Sequence, residues 1–175
     1  DLKEGEVDPD LKKMSIAKDQ EFLIPILKEI QLIQPNLKLI ASPWSPPVWM
    51  KDNGKSKGGH LLTKYYETYA QYFVRYIQLM RAEGLQINAI TIQNEPEFPA
   101  PWEACAYTEF TQSDFLMNHL GPELRLSHPD VKILKTVRNL GPIGNFASLS
   151  AQATSEYVIC LGGDDFVNQG ELQQI

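Results

Sequence analysis

The sequence predicts an α/β fold of the (β/α)8-barrel (TIM-barrel) type, present as a partial barrel of about four β/α units. Three observations carry that expectation. Short apolar stretches alternate with amphipathic ones, which implies parallel strands joined by helical crossovers. The segments after the first two apolar stretches are long and aromatic, as at the mouth of a barrel enzyme. The first of them, Ser42-Pro43-Trp44-Ser45-Pro46-Pro47, has no glycine turn with which a doubly wound nucleotide fold would cradle a phosphate.

Taken in order, residues 1–13 are charged and Pro-containing and read as a solvated lead-in. From Ser15 to about Ile33, Ile16, Phe22, Leu23, Ile26, Leu27, Ile30 and Ile33 recur at three- and four-residue steps, the face of an amphipathic helix. Pro25 cannot donate an amide proton inside it, so the helix either starts near Ile24 or kinks there. Leu37–Ser42 is a buried-strand candidate. Pro43–Gly59 is a structured loop, since it carries Trp44, Trp49 and Met50, and Asn53-Gly54 marks a turn in it. Tyr65 to about Arg81 is the clearest helix: Tyr66, Tyr69, Ala70, Phe73, Val74, Ile77 and Met80 form one stripe, with Gly84 placed as its cap. Ile87–Gln93 is a β-branched strand that runs into Asn94-Glu95-Pro96. A helix over Thr108–Leu120 is expected to stop at Gly121-Pro122. Val131–Leu134, a weaker helix over Phe146–Glu156, and Tyr157–Leu161 complete the order α-β-α-β-α-β-α-β.

Composition bounds the function. The chain has 175 residues, 16 Lys plus Arg and 22 Asp plus Glu, for a net charge of −6. Net acidity without a basic run excludes nucleic acid as the expected partner. No apolar window of about 18 residues exists to span a membrane. Cys105 and Cys160 form no disulfide framework, and His60, His119 and His128 lack zinc-helix spacing, so neither a metal nor a cofactor is expected. The chain opens without Met or an apolar leader core, and residue 1 is read as internal to a longer gene product.

The chemistry points to position 95. Barrel enzymes set catalytic groups at the C-terminal ends of strands, and Glu95 stands at such an end. Pro96 constrains the residue before it. A carboxyl among aromatic rings is partly desolvated, which raises its pKa and suits it to general-acid work. Asn94 offers an amide to a sugar hydroxyl. Trp44 and Trp49 offer ring faces to a sugar, with rigid prolines around them; the plain alternative for both is that they pin the loop to the core.

Leu39–Lys51 (LIASPWSPPVWMK), Tyr65–Tyr76 (YYETYAQYFVRY) and Ala89–Pro96 (AITIQNEP) closely resemble glycoside hydrolase family 30, the glucosylceramidase (acid β-glucosidase, glucocerebrosidase) family. Ile24–Lys28, Trp102–Thr108 and His119–Pro122 extend the resemblance to roughly residues 10–135. The resemblance implies a (β/α)8 barrel and a retaining hydrolase of β-linked glucosides, with glucosylceramide as the type substrate. It implies Glu95 as acid/base, Asn94 as donor to the sugar 2-hydroxyl and Trp44 as a wall of the glucose pocket. It also implies a lysosomal or secreted setting, although no residue of this segment reports on compartment.

Retaining chemistry needs a second carboxylate about 5–5.5 Å from the first. The family supplies it in a Ser-Glu context at the end of a later strand. Ser155-Glu156 precedes its strand and does not fit. Glu97 reads as a rim residue, and Asp164 and Asp165 stand where the family has a His and an aromatic. Residues 136–175 diverge generally, with Thr136-Val137-Arg138 where an acid is usual. The nucleophile is therefore expected outside this chain, and the chain alone is expected to be inactive. The rest of the barrel, on another segment or chain, is its expected partner, because half a parallel barrel leaves two strand edges open. The alternatives are a non-catalytic glucoside-binding remnant of the same fold, or an α/β domain in which Asn-Glu-Pro is incidental.

Overall fold

The computed structural model describes residues 2, 5–98 and 100–129. The expected elements from 131 onward, together with Glu156, Asp164 and Asp165, lie outside these residues. Helices α1 (Ala17–Glu21) and α2 (Leu23–Ile33) precede strand β1 (Leu39–Ala41); helix α3 (Tyr66–Ala82) leads to strand β2 (Ile87–Ile90). Helix α4 (Glu109–Asp114), a π-helical stretch (Phe115–Leu120) and helix α5 (Gly121–Ser127) follow.

β1 and β2 pair in parallel, Leu39 opposite Ile87 and Ala41 opposite Ile90. The register is irregular between Leu39 and Ile40, where Asn88 Oδ1 accepts from the Leu39 amide at 2.9 Å. Parallel neighbours require a crossover, and α3 supplies it. The expected α3 stripe is the observed one: Tyr66, Tyr69, Ala70, Phe73, Val74, Ile77 and Met80 are all buried. Phe115 stacks on Tyr69 at 5.5 Å and meets Tyr66 edge-on at 5.4 Å, so the aromatic core joins α3 to the last helices. Gly84, at φ +83°, ends the helix by donating its amide to the Arg81 carbonyl at 2.9 Å.

Three local expectations are corrected, and one open alternative is decided. The lead-in is not wholly solvated: Asp8 accepts from the Lys12 and Lys13 amides at 2.9 and 2.7 Å, and the turn it makes buries Leu11. Of the two alternatives at Pro25 the structure takes the first: a short α1 ends at Glu21, and α2 starts at Leu23 with Pro25 in its first turn, where its missing donor is tolerated. The anticipated apolar face of α2 is largely uncovered. Ile24 is its only buried residue, while Phe22, Ile26 and Ile33 are exposed, because no described neighbour packs on that side. Finally, Gly121-Pro122 does not stop the last helix. A π-helical stretch precedes it, and Pro122 takes the first turn of α5, where its missing donor is tolerated, so the helix runs on to Ser127.

The loop after β1 is ordered by backbone pairing. Lys51 bridges Leu61 antiparallel, while Lys57 and His60 pair with Glu103 and Ala106 in the loop after β2. Gly59 has φ +69°, a backbone conformation strained for other residues, and a Cβ there would force the Asn53 and Asp52 side chains to shift.

Candidate active site

The ladder between the strands does not end with them. The Thr91 amide donates to the Ala41 carbonyl at 3.0 Å, the Asn94 amide to the Pro43 carbonyl at 2.9 Å, and the Ser42 and Thr91 hydroxyls share a 2.6 Å hydrogen bond. These bonds carry both chains, in step, to the C-terminal rim of the sheet. Trp44 and Asn94-Glu95 are thereby brought to the same edge. Gln93 completes the connection: its side chain is buried, and Nε2 donates to the Trp44 carbonyl at 2.6 Å and to the Asn94 carbonyl at 2.9 Å.

Glu95 has φ +48°, in the left-handed region. A following proline favours an extended residue instead. Backbone bonds on either side hold the unusual conformation: Asn94 to Pro43 before it, then the Phe98 amide to the Glu95 carbonyl at 3.1 Å and the Tyr107 amide to the Pro96 carbonyl at 2.8 Å after it. Non-glycine residues in this region cost of order 1–3 kcal/mol and concentrate at functional sites. One carboxyl oxygen, Oε2, is buried without a hydrogen-bond partner among the described residues.

The two tryptophans are placed differently. Trp44 is half exposed at the rim. Trp49 is partly buried against the core, meets Tyr65 edge-on at 5.0 Å, and lines a hollow of about 500 Å³ with Leu11, Ile16 and Tyr72. In the loop after Glu95, Phe98 and Trp102 lie tilted together at 6.2 Å, and Phe98 is half exposed. The rim thus carries a carboxyl, an amide and exposed aromatic faces. That set can protonate a leaving oxygen, hold hydroxyls and stack on sugar rings.

Sequence reasoning missed two residues. By sequence pattern Gln93 is only the last residue of an expected strand. Lys51 was read only as the end of a motif, yet its ammonium is buried between the two rim loops. Its Nζ donates to Ser45 Oγ at 2.9 Å, the Ser56 carbonyl at 2.8 Å and the Ala104 carbonyl at 2.6 Å. Burial lowers its pKa below the ordinary lysine value. Nearby, burial pushes the Cys105 thiol up to about 11. Nothing in a single sequence distinguishes such a lysine from a surface one, because its acceptors are carbonyls distant in sequence. Among the described residues, no three His, Cys, Asp or Glu side chains converge as metal ligands, and no helix is long and apolar enough to cross a membrane.

Parallel β/α units with long loops at the C-terminal rim are the architecture of a β/α-barrel enzyme segment. Residues 3–171 match the glycosyl hydrolase family 30 TIM-barrel domain, and the chain belongs to that family. It is 34% identical over 145 residues to the endo-1,6-beta-D-glucanase neg1 of Aspergillus fumigatus, covering 74% of this chain and 30% of that protein. It is 33% identical over 126 residues to the mouse lysosomal acid glucosylceramidase, covering 66% of this chain and 24% of that one. The crystal structure of SrfJ from Salmonella typhimurium superposes with a TM-score of 0.69 at 31% identity, over 76% of this chain and 31% of SrfJ. The chain therefore spans less than a third of the length of these relatives.

Proposed function

We propose that this chain is the acid/base-bearing part of a retaining β-glucosidase that hydrolyses β-glucosides of the glucosylceramide type. The observation that carries the reading is Glu95, held by backbone bonds at the rim of a parallel β/α segment, next to Asn94 and one hydrogen-bonded residue from Trp44. In the first step, Glu95 gives its proton to the glycosidic oxygen as a second carboxylate attacks the anomeric carbon and the leaving alcohol departs. In the second, the Glu95 carboxylate takes a proton from water, which displaces the enzyme carboxylate. The nucleophile is assigned outside this sequence on sequence pattern alone, in which Ser155-Glu156 precedes its expected strand instead of ending it. Asn94 holds the 2-hydroxyl, and Trp44 is the wall of the glucose pocket. Trp49, engaged with Tyr65, acts from the base of the same loop.

The relative named as an endo-1,6-beta-D-glucanase favours a second reading, in which the leaving group is a further glucose of a β-1,6-linked chain. The test is to assay the protein carrying this segment on an aryl β-glucoside, on glucosylceramide and on β-1,6-glucan, beside its Glu95→Gln variant. Turnover of the lipid glucoside, lost in Glu95→Gln, is expected. Turnover of the glucan alone selects the second reading. Glucoside binding with no turnover of any substrate would instead mean a non-catalytic binding remnant. If the variant keeps full activity on an activated aryl glucoside and on natural substrates alike, Glu95 is not the acid/base.

A further inference from the structure

We infer that Gln93 is a positioning residue for the glycosidase site: an amide clamp that fixes the Trp44 backbone relative to Asn94 and Glu95. The inference builds on the proposed function, but its first measurement does not depend on that reading. Gln93 is 6% exposed, and Nε2 lies 2.6 Å from the Trp44 carbonyl oxygen and 2.9 Å from that of Asn94. Both neighbours are acceptors, which settles the orientation of the amide: the NH2 must face them and Oε1 must face away. Each of the two NH2 hydrogens then has its own carbonyl. One of those carbonyls belongs to the loop after β1 and the other to the loop after β2, so a single side chain spans the two loops that build the rim.

The other end of the amide shows that packing is not the reason for a glutamine here. Oε1 is buried and has no hydrogen-bond partner among the described residues. An unpaired buried acceptor lowers stability, and an apolar residue of similar size would avoid it. What an apolar residue cannot do is hold two carbonyls at once. The next ladder bond, Asn94 amide to Pro43 carbonyl at 2.9 Å, fixes the spacing of the two chains one residue before Trp44. Beyond it, Trp44 is half exposed, and Gln93 ties its backbone to the loop after β2 that carries the acid.

The test uses the protein that carries this segment, labelled with 5-fluorotryptophan, with the fluorine NMR lines of Trp44, Trp49 and Trp102 assigned by single Trp→Phe substitutions. In Gln93→Leu the Trp44 line is expected to shift and broaden, with the Trp49 and Trp102 lines unmoved. Gln93→Glu guards against misfolding of the leucine variant. As a carboxylate it repels both carbonyls, and as an acid its hydroxyl donates to one of them. Its Trp44 line should therefore return toward the wild-type position as pH falls, while the wild-type line stays fixed. An unchanged Trp44 line in both variants overturns the clamp, and so does a common shift of all three lines. The kinetic arm follows turnover of a β-glucoside: KM is expected to rise about tenfold in Gln93→Leu, with a smaller change in kcat. An unaltered KM beside a shifted Trp44 line would also overturn a role in catalysis. Should the wild-type protein turn over no glycoside, the proposed function fails, while the fluorine spectra still decide the clamp.

Discussion

The left-handed backbone at Glu95 can be tested by a pair of substitutions that differ by one methyl group. Glu95→Ala and Glu95→Gly both remove the carboxyl and its buried oxygen, so subtracting one from the other isolates the Cβ. At an extended or helical position, glycine is the less stable of the two by about 0.5–1 kcal/mol, because its unfolded chain is freer. At φ +48° the alanine Cβ crowds the following carbonyl, at a cost of about 1–2 kcal/mol that glycine does not meet. Combining the two leaves the glycine variant ahead by roughly 0–1.5 kcal/mol, with a midpoint of about 0.75 kcal/mol, which is a melting temperature higher by about 2–3 °C for a protein of this size. The sign reverses between the two cases, so the comparison needs no absolute calibration. Thermal unfolding followed by circular dichroism gives the order, and both variants should lack turnover of natural substrates. If Glu95→Gly melts below Glu95→Ala, residue 95 is not left-handed, and a carboxyl aimed by a strained rim residue is lost with it.

Two further outcomes follow from the buried groups beneath the rim. Lys51→Met keeps the aliphatic stem but strands the Ser56 and Ala104 carbonyls. It should lower stability by about 1–3 kcal/mol, seen as a lower urea midpoint; an unchanged midpoint would show that the ammonium does not staple the loops. Burial raises the Cys105 thiol from 9.0 to about 11. The folded state therefore holds the proton over a window in which the unfolded chain has released it. The resulting stability is complete below pH 9 and is lost as pH rises toward 11, about 2–3 kcal/mol in all. Denaturant titrations at pH 8 and pH 10.5 should show a larger fall for the wild type than for Cys105→Ala, and equal falls would refute the buried thiol.

Local periodicity and punctuation determined a good deal of this protein. The α3 stripe, the Gly84 cap, the β-branched approach to Asn94 and the ordered nature of the Trp44 loop were all legible, because each depends on residues a few positions apart. The conjunction of Asn94, Glu95 and Trp44 was legible as candidates at strand ends. The motifs named the family, and residues 3–171 match it. The break near Pro25 was legible as one of two alternatives, whereas the helix continuing through Gly121-Pro122 and the burial of Leu11 were not, since each turns on what packs nearby.

What only the tertiary structure decided is how the candidates are held. Leu39 and Ile87 stand 48 positions apart in sequence and opposite one another in the sheet, and the same pairing sets Gln93 against Trp44 and Lys51 against Ala104. A buried amide or ammonium is recognised by its acceptors. Those acceptors are backbone carbonyls, which every residue carries and no side-chain pattern announces. Sequence pattern could therefore nominate the carboxyl, whereas the left-handed turn and the clamp that aim it exist only once the two chain segments lie side by side.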